Sequence, residues 1–321
     1  MPEATDSSHL SDVSTELMIE QYGGVVEVQF FKSSGLREMI DVIPVVGTDT
    51  ITNNRVGRTV LQKLVPGVRP TANPTGFGKV SVTVDTVIIA RDARSKLNDF
   101  QTHFSAREKL GQDHGKELAK DFDQSLIIQA IHGSHQAAPT GLNGSIGAGK
   151  SIGLLAANDE EDPDKVVDAI KDILVEMEDE EIPTEELVIL VRPSTFKVLK
   201  ENDKLMSRDF AAGNGDYAKG LIYEIDGARV IKTTRIPTAA ITGHKLSNAA
   251  NGSAYDLTAE DADAIAVIMH PKSLLVGETI PLTSDVHYDK IDLTWYIDSY
   301  MAYGVNVNRP DVCGTVNKYR A

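Results

Sequence analysis

The stretch GSIGAGKS, residues 144–151, matches the phosphate-binding pattern G-x-x-x-x-G-K-[ST] at every required position. In that pattern, consecutive backbone N–H groups surround a phosphate, the lysine neutralises charge and the hydroxyl binds Mg²⁺. A working site of this kind lies between a buried strand and the start of a sizeable helix. The preceding IHGSHQAAPTGLN contains no buried strand, and the following IGLLAANDEEDPD allows only a turn or two of helix. We therefore expect a flexible connection here, with a nucleotide hydrolase as the alternative interpretation.

Other residues that could do chemistry do not form a recognisable set. His132 and His135 have a spacing that suits a metal, but no cysteine or carboxylate at fixed spacing completes the ligands. The acidic run 159–164 lacks the residue order of a calcium-binding loop, and no G-x-S-x-G elbow occurs. Cys313 is the only cysteine and is expected to be a packing residue. We predict no catalytic residue, no cofactor and no metal, and therefore no enzyme.

Composition restricts the function further. The 321 residues carry 32 Lys and Arg against 47 Asp and Glu, a formal net charge of −15, which opposes a broad basic surface for nucleic acid. With 41% hydrophobic residues the chain can bury a sizeable core. The first residues, MPEATDSSHLSD, do not resemble a secretory signal, and no stretch reaches the length of a membrane span. We expect a folded protein that is neither secreted nor embedded in a membrane.

A long amphipathic helix is predicted over residues 95–132. Its apolar residues recur at helical intervals and are Leu97, Phe100, Phe104, Leu110, Leu118, Phe122, Leu126 and Ala130. At 1.5 Å rise per residue this helix would be on the order of 50 Å long and would act as a beam. Gly111 and Gly115 interrupt it and predict either a bend or close packing.

The second half of the chain has an α/β pattern. Asp162 and Pro163 predict the start of a helix, and LVILV predicts a buried strand that turns at Arg192–Pro193 into a helix begun by Ser194. Asp226–Gly227 predicts a hairpin. Residues 264–271 predict another buried strand, and the alternating final part predicts a terminal antiparallel sheet.

The region before the long helix is harder to assign. Residues 25–46 fit either a strand or a short helix, and residues 46–86 predict a long extended excursion with little core of its own. This excursion is basic on an acidic chain, which suits contact with the acidic surface of a neighbouring copy, although solubility would explain the same charges equally well. The candidate contact residues are Arg55, Arg58, Lys63, Arg69 and Lys79.

The order of these elements is the strongest clue to the fold. It is carried by VIIARDARSKLNDFQTHFSAREKLGQDHGKELAKDFDQSLI, then LVILVRPSTFKVLKENDKLMSRDFA, then GLIYEIDGARVIKTTRIP. This succession resembles the major capsid proteins of tailed bacteriophages, with closest similarity to the short-tailed podovirus branch, from about residue 20 to 318. The resemblance implies an α+β fold of the Hong Kong ninety-seven type, with an N-terminal arm, an extended β loop, a long spine helix, and peripheral and axial domains.

The resemblance also implies a division of the chain and a function. Residues 1–45 would be the arm, 46–86 the extended loop, 87–139 the peripheral domain with its spine helix, 140–283 the axial domain, and 284–321 the C-terminal segment of the peripheral domain. The protein would assemble into hexamers and pentamers of an icosahedral shell around double-stranded DNA. The glycine segment would then be a hinge between domains.

The partners implied by the resemblance are other copies of the chain, a scaffolding protein during assembly, a portal protein at one vertex, and packaged DNA without sequence-specific contact. No membrane is involved, and the protein would belong to the virion capsid after assembly in the bacterial cytoplasm. An encapsulin-type cellular shell is the alternative within the same fold. Some family members crosslink a loop lysine to an asparagine, here Lys63 or Lys79 with Asn317, but no activating glutamate can be placed and we expect no crosslink.

Overall fold

The computed structural model describes residues 22–67, 69, 75–95, 105–202, 205, 215–216 and 221–320. Its helices are α1 (residues 22–33), α2 (Ser105–Ser134), α3 (Pro163–Asp179) and α4 (Pro193–Leu199). Its strands are β1 (Val42–Pro44), β2 (Thr50–Val56), β3 (Phe77–Thr83), β4 (Ile88–Ser95), β5 (Lys150–Gly153), β6 (Val188–Val191), β7 (Gly215–Asp216), β8 (Leu221–Ile222), β9 (Glu224–Ile225), β10 (Ala228–Lys232), β11 (Ala264–Met269), β12 (Leu274–Asp289), β13 (Thr294–Val307) and β14 (Cys313–Asn317).

The long helix is confirmed from Ser105 onward as α2, while Ser95 belongs to β4 and residues 96–104 lie outside the described residues. Along α2 the side chains of Leu118, Phe122 and Leu126 are buried. They pack on β12 and β13, so the apolar stripe of the helix meets one face of a sheet. This cluster forms the larger of the main cores.

The first large sheet has four strands in the order β1-β12-β13-β4. β12 and β13 form a long antiparallel pair that runs from Leu274 opposite Val307 to Asp289 opposite Thr294. β4 pairs antiparallel with β13, and β1 pairs parallel with β12 at the other edge. The alternating C-terminal stretch thus forms antiparallel pairs, as predicted.

The second large sheet has six strands in the order β5-β14-β11-β6-β10-β9. The short apolar runs VILV and AIAVIM form its buried centre as β6 and β11, which confirms both predicted strands. Helix α3 covers this sheet with Ile170, Ile173 and Leu174.

The last strand departs from the expected arrangement. Residues 284–321 were expected to complete the peripheral sheet, but β14 lies between β5 and β11 in the six-stranded sheet. The chain leaves β13 through a short helical turn at Pro310–Val312. Val312 and Val316 then join the core that Ile173 and Ile268 line, and this burial favours the second sheet for the strand.

Local signals were accurate in this half of the molecule. The Asp162 side chain caps α3 by accepting a hydrogen bond from the backbone N–H of Asp164 at 3.0 Å. Helix α4 begins one residue earlier than predicted, at Pro193, because proline suits the first helical position. Asp226 and Gly227 have φ angles of 47° and 86° and connect β9 to β10 as predicted.

Candidate assembly surface

The extended excursion is a two-stranded hairpin whose strands pack on their own subunit. β2 and β3 pair antiparallel from Thr50 opposite Thr83 to Val56 opposite Phe77. Val80 and Val82 of β3 bury their side chains against Leu275 of β12. Within residues 46–86, the β2–β3 hairpin therefore packs on β12. Only the segment after Val56 extends away from the subunit.

The projecting tip, defined here as residues 58–67, is exposed at every position. It presents large apolar side chains to solvent, and Leu61 is the most exposed at 91%. The others are Val60, Leu64 and Val65. Large apolar side chains exposed together in this way favour a surface that another molecule covers.

The five basic candidate residues differ in whether their side chains contact their own subunit. Arg55 donates hydrogen bonds to the backbone carbonyls of Val307 and Asn308, and burial lowers the pKa of its guanidinium. This arginine therefore holds the hairpin to its own subunit. Arg58 forms an exposed ion pair with Glu181 at 3.2 Å.

The other three candidates are exposed and form no ion pair with the described residues. Lys63 lies within the projecting tip, Arg69 is exposed just beyond it, and Lys79 is exposed on β3. Only these residues and the weakly held Arg58 fit the charged surface that the sequence predicted.

The GSIGAGKS stretch has the wrong surroundings for a phosphate site. Residues 144–149 form a loop that runs directly into β5, and the nearest following α-helix begins at Pro163. The ammonium of Lys150 is paired with the carboxylate of Glu180. The hydroxyl of Ser151 accepts a hydrogen bond from the Asn317 amide at 2.9 Å. Both chemically active positions of the motif are thus occupied by contacts within the fold.

Two glycines of this stretch, Gly147 and Gly149, are closely packed. The backbone N–H of Gly149 donates to the carbonyl of Gln136 at 2.9 Å, and a Cβ on Gly149 would overlap the backbone of Gly133 and Ser134. The connection between α2 and β5 is therefore tightly fitted to the end of α2. This differs from the flexible connection that the glycine content predicted.

The histidines and the cysteine have structural contacts as well. His132 donates through Nε2 to the carbonyl of Asp256 at 3.0 Å, and His135 faces the Asp261 carboxylate at 3.5 Å. Cys313 is buried, and burial raises the pKa of its thiol to about 12. Within the described ranges, no group of three or more His, Cys, Asp or Glu side chains could hold a metal ion.

Helix α1, called the arm helix below, lies on α2 through contacts that the sequence did not reveal. The hydroxyl of Tyr22 lies 2.7 Å from Nδ1 of His114, and the hydroxyl of Ser34 donates to the Asp123 carboxylate at 2.6 Å. Gly115 permits the close crossing of the two helices. The pair Gly111 and Gly115, one turn apart, was the available signal, and of the two outcomes it left open, a bend or close packing, the structure shows close packing.

None of the helices in the described part of the chain is long and apolar enough to cross a membrane. No family model matches the sequence, and no curated protein matches it either.

Solved structures do match this chain. The mature capsid of bacteriophage PhiM1 is 25% identical, with a TM-score of 0.77, over 90% of this chain and 88% of that chain. The capsid of cyanophage P-SCSP1u is 17% identical, with a TM-score of 0.78, over 88% and 87% of the two chains. A virus-like particle from Pyrococcus furiosus is 13% identical, with a TM-score of 0.56, over 94% and 99%. The chain therefore has the Hong Kong ninety-seven-type capsid fold that its order of elements predicted.

Proposed function

We propose that this chain is the major capsid protein of a tailed bacteriophage and that it self-assembles into the hexamers and pentamers of an icosahedral shell. The observation that carries the proposal is the match to the PhiM1 mature capsid over 90% of the chain at a TM-score of 0.77. The role is structural, and the chain performs no catalysis.

The projecting tip supports this function physically. Its exposed apolar side chains gain free energy only when a second molecule covers them, at about 25 cal/mol per Å² of apolar surface buried. In a closed symmetric shell every copy offers the same tip and the same receiving surface. Many such contacts, each modest, make the assembled shell stable collectively. Arg58, Lys63, Arg69 and Lys79 would meet acidic residues of the neighbouring copy, while Arg55 acts within its own subunit.

The division of the chain follows the same proposal. We assign residues 1–45 to the N-terminal arm, 46–86 to the extended loop, 87–139 to the peripheral domain and 140–283 to the axial domain. Strands β12 and β13 would belong to the peripheral sheet, so the proposed boundary at residue 283 falls within β12. The strand β14 returns to the six-stranded sheet, so the two domains share the C-terminal segment.

The proposed function also includes partners other than copies of this chain. A scaffolding protein would guide assembly in the bacterial cytoplasm, a portal protein would occupy one vertex, and double-stranded DNA would fill the virion. The net charge of −15 suits a shell that encloses DNA without sequence-specific contact, since an acidic wall does not retain phosphate groups.

The two alternatives have weaker support. An encapsulin-type cellular shell shares the fold, but the virus-like particle from Pyrococcus furiosus matches at a TM-score of only 0.56. A nucleotide hydrolase would need Lys150 free at a helix start, whereas that lysine lies in β5 and pairs with Glu180.

Sedimentation velocity of the full chain, expressed alone and with candidate scaffolding proteins, tests the proposal. Closed shells or rings of five and six copies, identified by negative-stain electron microscopy, are the expected result. A stable monomer or dimer under every condition would overturn it. Enclosed phage DNA, as opposed to an enclosed protein cargo, would separate a virion shell from an encapsulin-type compartment.

A further inference from the structure

The loop 141–145 contacts the β2–β3 hairpin at the point where the strands end and the projecting tip begins. The backbone N–H of Arg58 donates to the carbonyl of Leu142 at 3.0 Å. The hydroxyl of Ser145 donates to the carbonyl of Val56 at 2.9 Å. Backbone groups at the end of a hairpin strand lack a partner in the neighbouring strand. The two bonds provide partners for the N–H of Arg58 and the carbonyl of Val56.

Close packing reinforces these hydrogen bonds. A Cβ on Gly76 would overlap the carbonyl oxygen of Gly141, so the two backbones touch directly. The side chain of Leu142 is 1% exposed and lies against Gly78 of β3. The loop and the hairpin are therefore closely packed around the buried side chain of Leu142.

The loop is itself anchored where it runs into β5. Gly149 is bonded to Gln136 and packed against the end of α2. Lys150 is paired with Glu180 at the end of α3. Both helices are part of the main cores. The loop therefore fixes the position of the hairpin end relative to these cores.

We propose that residues 141–149 form a clasp that fixes the direction in which the projecting tip leaves the subunit. A two-stranded ribbon is marginally stable when nothing packs on it, so the end of the hairpin depends on its neighbours. Since the projecting tip starts at Arg58, the clasp supports the hairpin where the tip begins, and a small shift there redirects the residues beyond it. Gly76 and Gly141 permit this close approach, and Gly149 packs the far end of the clasp against the end of α2. The proposal rests on the shell function, because only assembly requires the tip to point in one direction.

The test compares Gly76→Ala with Gly153→Ala in the full chain. Alanine at Gly76 forces the clasp open, whereas a Cβ on Gly153 has no neighbour within 4 Å. Hydrogen exchange, measured by mass spectrometry on the unassembled chain, should become about tenfold faster in peptides that contain Gly57 and Arg58 for Gly76→Ala only, the factor that corresponds to one lost hydrogen bond. Peptides from β12 and β13 should be unchanged. The assembled fraction should fall about tenfold or more.

Unchanged exchange in Gly76→Ala, or faster exchange with wild-type assembly, would overturn the clasp. Ser145→Ala removes one hydrogen bond without a steric clash and should give the same exchange pattern at smaller amplitude if Gly76→Ala fails to fold. If the wild-type chain forms no shell, the proposed function fails, and the exchange measurement alone then decides whether the clasp holds the hairpin.

Discussion

Gly115 of the long helix lies against Val26 of the arm helix so closely that a Cβ on Gly115 would stand 2.5 Å from the carbonyl oxygen of Val26. A glycine inside a helix costs about 1 kcal/mol relative to alanine. At this crossing, however, any side chain would separate the two helices. The position therefore stabilises the docked arm although it weakens the isolated helix.

We expect Gly115→Ala to lower the free energy of unfolding by about 1–3 kcal/mol, because overpacking outweighs the gain in helix propensity. Urea denaturation of the unassembled chain measures the loss. Limited proteolysis within residues 22–33 should become faster in the variant, since the arm helix is the element displaced.

Gly24→Ala is the matched control for that change. Gly24 lies in α1, is exposed, and has no atom within 4 Å of a Cβ. Alanine there should leave stability unchanged or raise it by up to about 1 kcal/mol. If both substitutions stabilised the chain alike, the close helix crossing would be wrong.

Asp123 gives the docked arm a pH dependence. Its carboxylate accepts hydrogen bonds from the Ser34 hydroxyl at 2.6 Å and the Gly35 backbone N–H at 3.0 Å. Burial raises the pKa of Asp123, and these hydrogen bonds only partly oppose the rise. The folded state therefore binds this proton more tightly than the unfolded state.

A raised carboxyl pKa contributes stability below the unfolded pKa of about 3.9, and that contribution is lost as the pH rises through the folded pKa. Asp123→Asn cannot titrate and points an amide N–H at Gly35, so it should destabilise the chain by about 1–3 kcal/mol. The deficit relative to wild type should be larger near pH 3.5 than near pH 7. Urea unfolding of both chains across this range measures it, and a deficit that grew toward neutral pH would contradict the assigned direction.

Local sequence signals predicted the elements that depend on neighbouring residues alone. Asp162 with Pro163 marked a helix start, and Asp226 with Gly227 marked a hairpin, because caps and turns need only the residues beside them. Whether residues 25–46 form a strand or a short helix depended on tertiary contacts. Tyr22, Val26 and Phe30 are buried at helical spacing, so part of the apolar run became α1, and the short strand β1 followed it.

Contacts between distant residues were beyond sequence reasoning. Nothing near Val316 indicates that β14 returns to the six-stranded sheet, since its partners in β5 and β11 are far away in sequence. Nor did the basic residues reveal that Arg55 holds its own subunit. The glycines of residues 141–149 suggested flexibility because composition does not show what packs against them.

Lys150 is expected to stabilise the fold and to have no role with nucleotides. Its pair with Glu180 is largely shielded, with side chains 13% and 32% exposed. Lys150→Ala should lower the free energy of unfolding by about 1–2 kcal/mol, because Glu180 keeps its charge in a confined place. Neither ATP nor GTP with Mg²⁺ should raise the melting temperature of the wild-type chain.

Lys171→Ala provides the comparison for this ion pair. Lys171 faces Asp226 at 3.5 Å with side chains 39% and 46% exposed, and such pairs contribute about 0–1 kcal/mol. Equal losses for the two lysines would show that burial does not matter at Lys150. A nucleotide-dependent rise in melting temperature that Lys150→Ala abolishes would return the motif to its phosphate-binding interpretation.

The basic residues of the excursion should separate into two classes when they are replaced individually. Lys63→Glu, Arg69→Glu and Lys79→Glu change exposed side chains, so the free energy of unfolding should stay within about 0.5 kcal/mol of wild type. Assembly followed by light scattering should nevertheless slow and lose much of its salt dependence, because the attraction to an acidic neighbour is reversed. Arg55→Ala should instead destabilise the unassembled chain by about 1–3 kcal/mol, since the carbonyls of Val307 and Asn308 lose their donor. If the three charge reversals left assembly unchanged at low salt, the charges would serve solubility, and the apolar side chains of the projecting tip would have to account for the contact alone.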